Sequence, residues 1–270
     1  MLMLGFFFKK NGYDGWDNVM FIIIPNLILD VVLLAGGTVM YFLRDYLSVW
    51  IAVSIVFVAV YSLFSLAWAE NCRQIADGEL MELKEFFKRL KSCVLDALCY
   101  TAVLVGWGFF TAFGIIFFLF PGSTGISFAG MLAASVWCWV AFTIFQAIAW
   151  YPAIRAMLHN PFSKALKKCF VLFFDNIRVS LVVSFYNLFL FIISVIMLGV
   201  APGMAGITLA RVNAFRLLLK KYDYIEELDK KGEPKNSRSR RKIPWNEILA
   251  DDIEATPTRS LKSILMPWKE

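Results

Sequence analysis

Apolar and polar positions divide the chain into long apolar runs separated by short charged stretches. Six apolar segments stand out, at about 19–42, 47–69, 95–120, 129–152, 178–199 and 202–219. Roughly 20 apolar residues at 1.5 Å each cross a hydrocarbon core of ~30 Å, so such runs predict transmembrane helices. The sixth is the weakest, being short and interrupted by Arg211, Asn213 and Arg216. A soluble helical bundle would keep a charged face on each helix, and these runs do not. The pattern predicts an all-α fold, a polytopic membrane bundle of about six helices, with residues 1–221 as the membrane domain and 222–270 as a tail.

The connections alternate in character. Lys9 and Lys10 precede the first apolar segment. Arg73, Lys84, Lys88, Arg89 and Lys91 lie between the second and third, and Arg155, Lys164, Lys167 and Lys168 between the fourth and fifth. Lys220 and Lys221 follow the sixth. The other connections, "RDY", "PGSTGIS" and "GVAPGMAG", are nearly bare of basic residues. By the positive-inside rule both termini and the long loops face the cytoplasm, and the short outer turns predict three hairpins. Trp16, Trp68, Trp150 and Tyr151 would mark the inner interface, and Tyr41, Tyr46 and Trp50 the outer one, since Trp and Tyr favour both. "MLMLGFFFKK" puts its apolar residues before its lysines, unlike a cleavable signal peptide, so the first helix is expected to remain.

"LMELKEFFKRLKS" repeats Leu80, Leu83, Phe86, Phe87 and Leu90 at helical spacing, and "NPFSKALKKCFVLF" is alike. Two arrangements suit such segments. Each lies on the inner membrane surface with Lys84, Lys88, Arg89, Lys91 or Lys164, Lys167, Lys168 toward anionic headgroups, or each continues the following helix into the cytoplasm. The hairpins also resemble one another. Phe8, Phe87 and Phe174 recur at roughly 80 residues, as internal repeats of membrane proteins do. Asp17-Asn18 and Asp175-Asn176 each begin a helix that later carries Asn-Leu.

Polar residues inside the apolar segments carry the candidate chemistry. Counted at 1.5 Å per residue, Asn26, Gln146, Asn187 and Arg211 lie about 13–15 Å inside the inner border, with Ser65 and Thr101 at similar depth. This layer is either a solute site or vestibule floor, or interhelical hydrogen bonding that fixes packing. Asp30 lies one turn beyond Asn26 on the same face, past the helix-bending Pro25. A central charge costs roughly 3 kcal/mol to insert and normally has a partner. Arg211 is the expected counter-ion, joining the first and last helices. "AGG" at 35–37 and "GMAG" at 203–206 read as close-packing sites between helices.

Composition adds detail. The chain is 59% hydrophobic and carries a net charge of +6, and a soluble domain is about 45–50% apolar. The tail from Tyr222 is neutral, so the excess sits in the membrane part. "KKGEPKNSRSRRK" reads as a flexible basic linker. Beyond it Trp245, Ile248, Leu249, Leu265 and Trp268 form apolar islands of the kind that dock on a partner or on their own domain. The five cysteines form no CxxC pair, and His159 is the single histidine, so neither a zinc framework nor a disulfide framework is expected. No Walker motif or dinucleotide fingerprint is present. The expectation is a non-enzymatic protein without a cofactor, whose partners are the lipid bilayer and other membrane proteins, not nucleic acid.

The layout resembles the YesL-like family of bacterial integral membrane proteins over about residues 6–221. The resemblance rests on "FFFKKNGYDGWDNVMFIIIPNL", "LKEFFKRLKSCVLDAL" and "PFSKALKKCFVLFFDNIRVSLVVSFYNL". It implies the bacterial cytoplasmic membrane and an accessory role beside the subunits of a carbohydrate ABC transporter. It brings no catalytic residues. Two other functions fit the residues themselves: a small-solute transporter or channel using the polar layer, and a scaffold or assembly factor acting through the tail.

Overall fold

The computed structural model describes residues 2–79, 82–120, 127–231 and 243–256. In chain order the helices are α1 (Leu2–Asp17), α2 (Val19–Phe42), α3 (Leu47–Asp77), α4 (Leu83–Ser92), α5 (Val94–Leu119) and α6 (Phe128–Ile148). They continue with α7 (Tyr151–Leu158), α8 (Phe162–Asp175), α9 (Ile177–Ile196), α10 (Gly203–Lys230), α11 (Trp245–Ile248) and α12 (Ala250–Ala255). The protein is an all-α membrane bundle, and the described residues contain no strand. Helices α2, α3, α5, the run Phe128–Leu158 and α9 are long and apolar enough to cross a membrane. The three hairpins form as the sequence predicts, with α2 on α3, α5 on α6 and α9 on α10. Small residues set their closeness: the Phe57 ring fills the space beside Gly36, and the Trp137 indole the space beside Gly114.

The sixth segment differs most from expectation. It runs on past the expected end at about 219 to Lys230 and is the centre of the fold. It packs against α1, α2, α3, α7 and α9, and Ala205, Leu209, Ala210, Val212, Leu217 and Leu218 on it are fully enclosed. A helix that meets protein on most sides needs no lipid-facing apolar surface, which is why its composition is the least membrane-like. Two of its three interrupting residues have destinations on neighbouring helices. Asn213 donates to Asn11 Oδ1 and Asp14 Oδ2, each at 3.0 Å, and Arg216 binds Asp77 and Asp252.

Other boundaries also shift. The second segment continues to Asp77, and the fourth breaks at Ala149–Trp150, where α7 begins. Residues 2–17 form a helix that the lysine-centred reading left out. The three apolar helices α2, α5 and α9 are each preceded by a shorter helix, amphipathic before α5 and α9, across a single bent residue: Asn18, Cys93 and Asn176. Backbone hydrogen bonding continues through each bend, as in Ile22 N to Asn18 O, Ala97 N to Cys93 O and Ser180 N to Asn176 O. The segments before α5 and α9 are therefore bent continuations. The repeat is structural too. In Phe7-Phe8, Phe86-Phe87 and Phe173-Phe174 the first ring is buried and the second exposed. The two Asp-Asn motifs do the same work, since Asn18 and Asn176 each donate a side-chain bond to the carbonyl four residues back, on Asp14 and Leu172.

The amphipathic helices rest on protein. Phe86 is fully buried against Phe64 and Trp68. Lys84, Lys88, Lys91, Lys164 and Lys167 stay exposed and Lys168 is half-buried. Arg89 is a correction to the membrane-surface set: it turns inward, donating to Asn71 Oδ1 at 2.9 Å and to Glu85. The inner aromatic belt needs a similar correction, because Trp68, Trp150 and Tyr151 are core residues, with Trp68 donating to the Ala205 carbonyl at 3.0 Å. Trp16 and the outer Tyr41, Tyr46 and Trp50 are exposed as expected. Arg155 on α7 ties the helices together by binding Glu70 on α3 at 2.5 Å and Asp96 on α5 at 2.8 Å.

The tail docks on its own domain. Leu249 is fully buried in the core, and Trp245 packs against that core, between α1 and α10. Ile248 is half-buried, and Leu265 and Trp268 lie outside the described residues. Asp252 anchors the segment, at 3.0 Å from Arg216 and 2.6 Å from Lys220, and Lys9 donates to the Thr256 carbonyl. Burial alone would raise the Asp252 carboxyl, but the bonds from Arg216 and Lys220 outweigh it and hold it below the usual 3.8. A lowered folded-state value stabilises docking above the free-carboxyl value, and that contribution disappears as pH falls through the folded value. Asp252→Asn should therefore loosen the segment at pH 7, seen as faster protease cleavage near residue 243. The wild-type chain should loosen the same way only when pH drops below about 4. Removing Arg155 as Arg155→Leu leaves two partly buried carboxylates unpaired and should lower unfolding stability by about 3 kcal/mol, read as thermal unfolding in detergent.

Candidate functional site in the membrane bundle

The turn between α9 and α10 organises the site. Asn26, buried in the middle of α2, donates its Nδ2 to the carbonyls of Val200 at 3.1 Å and Pro202 at 2.8 Å. Its Oδ1 accepts from Ala205 N at 2.9 Å. Ser194 Oγ accepts from Gly203 N at 2.8 Å. Two glycines permit this approach. Gly199 (φ 84°) and Gly203 (φ 56°) have left-handed backbone conformations, and a Cβ on them would strike the Asp30 carboxylate and the Asn26 amide respectively. The first amide of the polar layer is thus a clamp on a turn.

Beside the clamp lies a cavity of about 990 Å³, at the upper end of small-molecule pockets, lined by residues of α2, α3, α6, α9 and α10. Five residues of the polar layer line it: Asn26, Asp30, Gln146, Asn187 and Arg211. Ser65 and Thr101 are buried elsewhere, and the Thr101 hydroxyl returns to the Ala97 carbonyl of its own helix at 2.7 Å. The remaining lining is mostly apolar, including Trp139, Phe142, Phe145, Phe185 and Phe191. Trp139 and Phe185 are each 70% exposed. The mouth of the cavity is therefore an apolar rim on the side of the bundle, where lipid lies.

The cavity has two unlike ends. Ser194 meets Gly203, and Asn11 bridges Tyr186 and Asn213 with bonds of 3.0 Å to each. This register puts Asn187 on α9 at the level of Arg211 on α10, toward the basic end of the bundle. Gln146 joins them, accepting from Ser184 Oγ at 2.8 Å. Asp30 sits at the other end against Gly199. From the Asn26–Ala205 contact, Asp30 is four residues one way and Arg211 six the other, roughly 15 Å apart along the axis. The expected Asp30–Arg211 ion pair does not form. Depth counted from Trp16 and Lys220 misplaced the two because α1 packs beside α10 and α10 begins at the level of Asn26.

Hydrogen bonding separates structural from available groups. Asn26 has partners for both amide atoms. Asn187 is equally buried, and neither its Nδ2 nor its Oδ1 has a hydrogen-bond partner among the described residues; the same holds for Asp30 Oδ2. Arg211 forms no ion pair among them either. Ser184 and Tyr61, which also line the cavity, were absent from the predicted layer. A signal for Ser184 was present: Ser180, Ser184, Asn187, Phe191 and Ser194 fall on one helical stripe of α9. Asp14 on α1, which accepts from Asn213, is pushed up by burial and partly drawn back by Lys10.

No family model matches the chain, and no curated protein or solved structure does.

The two Asn-Leu motifs make opposite predictions. Asn26→Leu strands the Val200 and Pro202 carbonyls and the Ala205 amide, and should destabilise the protein by about 2 kcal/mol or more. Asn187→Leu removes an amide that has no partner and should be neutral or stabilising. Thermal unfolding of both variants in one detergent measures the contrast.

Proposed function

We propose that this integral membrane protein binds a small solute in the cavity between α2, α6, α9 and α10, as a carrier or solute-binding protein. What carries the reading is that Asn26, Asp30, Gln146, Asn187 and Arg211, contributed by four helices, line one cavity and that one of them, Asn187, has both amide atoms enclosed without a hydrogen-bond partner among the described residues. A layer serving packing alone would bring its groups into contact with one another. The role is read as non-enzymatic, since the sequence carries no catalytic motif and its single histidine, His159, is an exposed helix cap 3.6 Å from Glu70. The basic end is placed in the cytoplasm by the positive-inside rule, in the bacterial inner membrane by the family resemblance. The accessory role beside a carbohydrate ABC transporter rests on that resemblance alone. The docked segment 243–256, turned onto α1 and α10, speaks against a tail held free for partners.

Photolabelling tests the reading. A small apolar diazirine, applied to the chain in nanodiscs, should label Met204 and Ile207 on the cavity floor, and a filling substitution, Ser184→Trp, should largely abolish that labelling. Labelling confined to the outer faces of α5 and α6 would remove the reading.

A further inference from the structure

We infer that the ligand of this cavity is an anionic amphiphile, an acyl chain ending in a carboxylate or phosphate, that enters sideways from the bilayer with its head toward the basic end. The inference rests on the cavity being a binding site and adds the chemistry of what it takes. Charge complementarity carries it. Arg211 brings a cation into the cavity and has no carboxylate against it among the described residues. An unpaired guanidinium in a bilayer bundle calls for an anion, and a guanidinium binds carboxylate or phosphate oxygens through a planar fork of donors.

Asn187 supplies the second half of the head site. It is 5% exposed, lines the cavity and stands at the level of Arg211, and its enclosed Nδ2 and Oδ1 have no partner among the described residues, so a small turn of the side chain would present a donor and an acceptor to a head group. Gln146 and Ser184 close the same end through their mutual bond. The rest of the surface suits a hydrocarbon chain. Leu181, Phe185 and Leu188 from α9 and Trp139 and Phe142 from α6 form an apolar wall continuous with the lipid-facing surface. A free polar anion would gain nothing from that wall and would have to cross it. Asp30 fixes the direction, since its carboxylate at the far end repels a head placed there and favours one beside Arg211.

Native mass spectrometry and fluorescence displacement on the full chain in neutral detergent test this, using oleate and phosphatidic acid as amphiphiles, inorganic phosphate and acetate as heads alone, and oleyl alcohol as a chain alone. Oleate or phosphatidic acid should bind one per chain, with the heads alone and the alcohol at least about tenfold weaker, as expected for loss of a charged hydrogen-bonded contact or of the chain. Which of the two amphiphiles binds tighter separates a free fatty acid from a phospholipid as the source of the head. Arg211→Gln should lose about tenfold or more, and Asn187→Asp, nearly isosteric, should pair with Arg211 and expel the anion. Arg211→Lys, which keeps the charge but not the fork, should fall between wild type and Arg211→Gln, and Thr101→Ala, away from the cavity, should retain binding, which guards against reading misfolding as lost contact. Equal binding of oleyl alcohol and oleate, or unchanged affinity in both Arg211→Gln and Asn187→Asp, would overturn the inference. Diazirine labelling of Met204 and Ile207 that persists while no anionic amphiphile binds would overturn it and leave the cavity reading intact. Loss of that labelling as well would remove both.

Discussion

A helix turn inside a membrane bundle must find partners for its peptide groups within the protein, because lipid offers none. The α9–α10 turn meets this constraint through one side chain, Asn26, which binds two carbonyls and one amide of the turn. Much follows from that clamp. It starts α10 at the level of mid-α2, lets the helix run through the centre of the bundle, and sets Arg211 toward the basic end. It also requires glycine at 199 and 203, where α2 side chains occupy the space a Cβ would need. The cavity is the space left where α9 leans on α10 while α6 packs on α5 and α8.

The basic end works differently, through charges placed where water and headgroups lower their penalty. Arg155 gathers carboxylates from α3 and α5, Arg216 and Lys220 share Asp252, and Tyr222 and Lys221 bind Asp175 at the α8–α9 bend. Such pairs hold geometry more than they add stability, since desolvation opposes much of their attraction. What they hold is a collar of short helices around the inner ends of the long ones. The exposed lysines of α4 and α8 remain on its outside, free for anionic headgroups, while Arg89 has been drawn into the collar.

How much of this was legible follows from what each helix touches. The lipid-facing helices α2, α5 and α9 were readable nearly to the residue, because lipid demands an unbroken apolar run. α10 was read as marginal because burial in protein removes that demand, and no composition rule reports enclosure. The polar layer was legible as a set of depths, and Asn26, Gln146, Asn187 and Arg211 do reach one cavity. The Asp30–Arg211 pair was not, because depth along one helix says nothing of where a neighbouring helix begins. That offset depends on a contact across 179 residues, from Asn26 to Ala205. The repeat was visible in Phe pairs and Asp-Asn, yet its physical content, one buried ring and one exposed ring before a bent residue, needed three dimensions.

The contrast between Asn26 and Asn187 bears most on what the bundle is for. A buried amide left without hydrogen bonds costs about 1–3 kcal/mol, and native folds satisfy nearly all such groups. This chain does so in many places: Asn26, Gln146 and Ser194 each bond a neighbouring helix or turn. Among the described residues a few other buried atoms lack partners, such as Tyr151 Oη and Asn213 Oδ1, but at one cavity the Asn187 amide, Asp30 Oδ2 and the Arg211 charge lack them together. Leucine at 187 would suit packing better, and glutamate opposite Arg211 would suit charge. Departures from local fitness are expected where a site is kept open for something outside the chain. Asn187 and Arg211 line the same cavity, and together they match an anion in charge and hydrogen-bonding capacity. Packing gives no reason for that coincidence, and binding does.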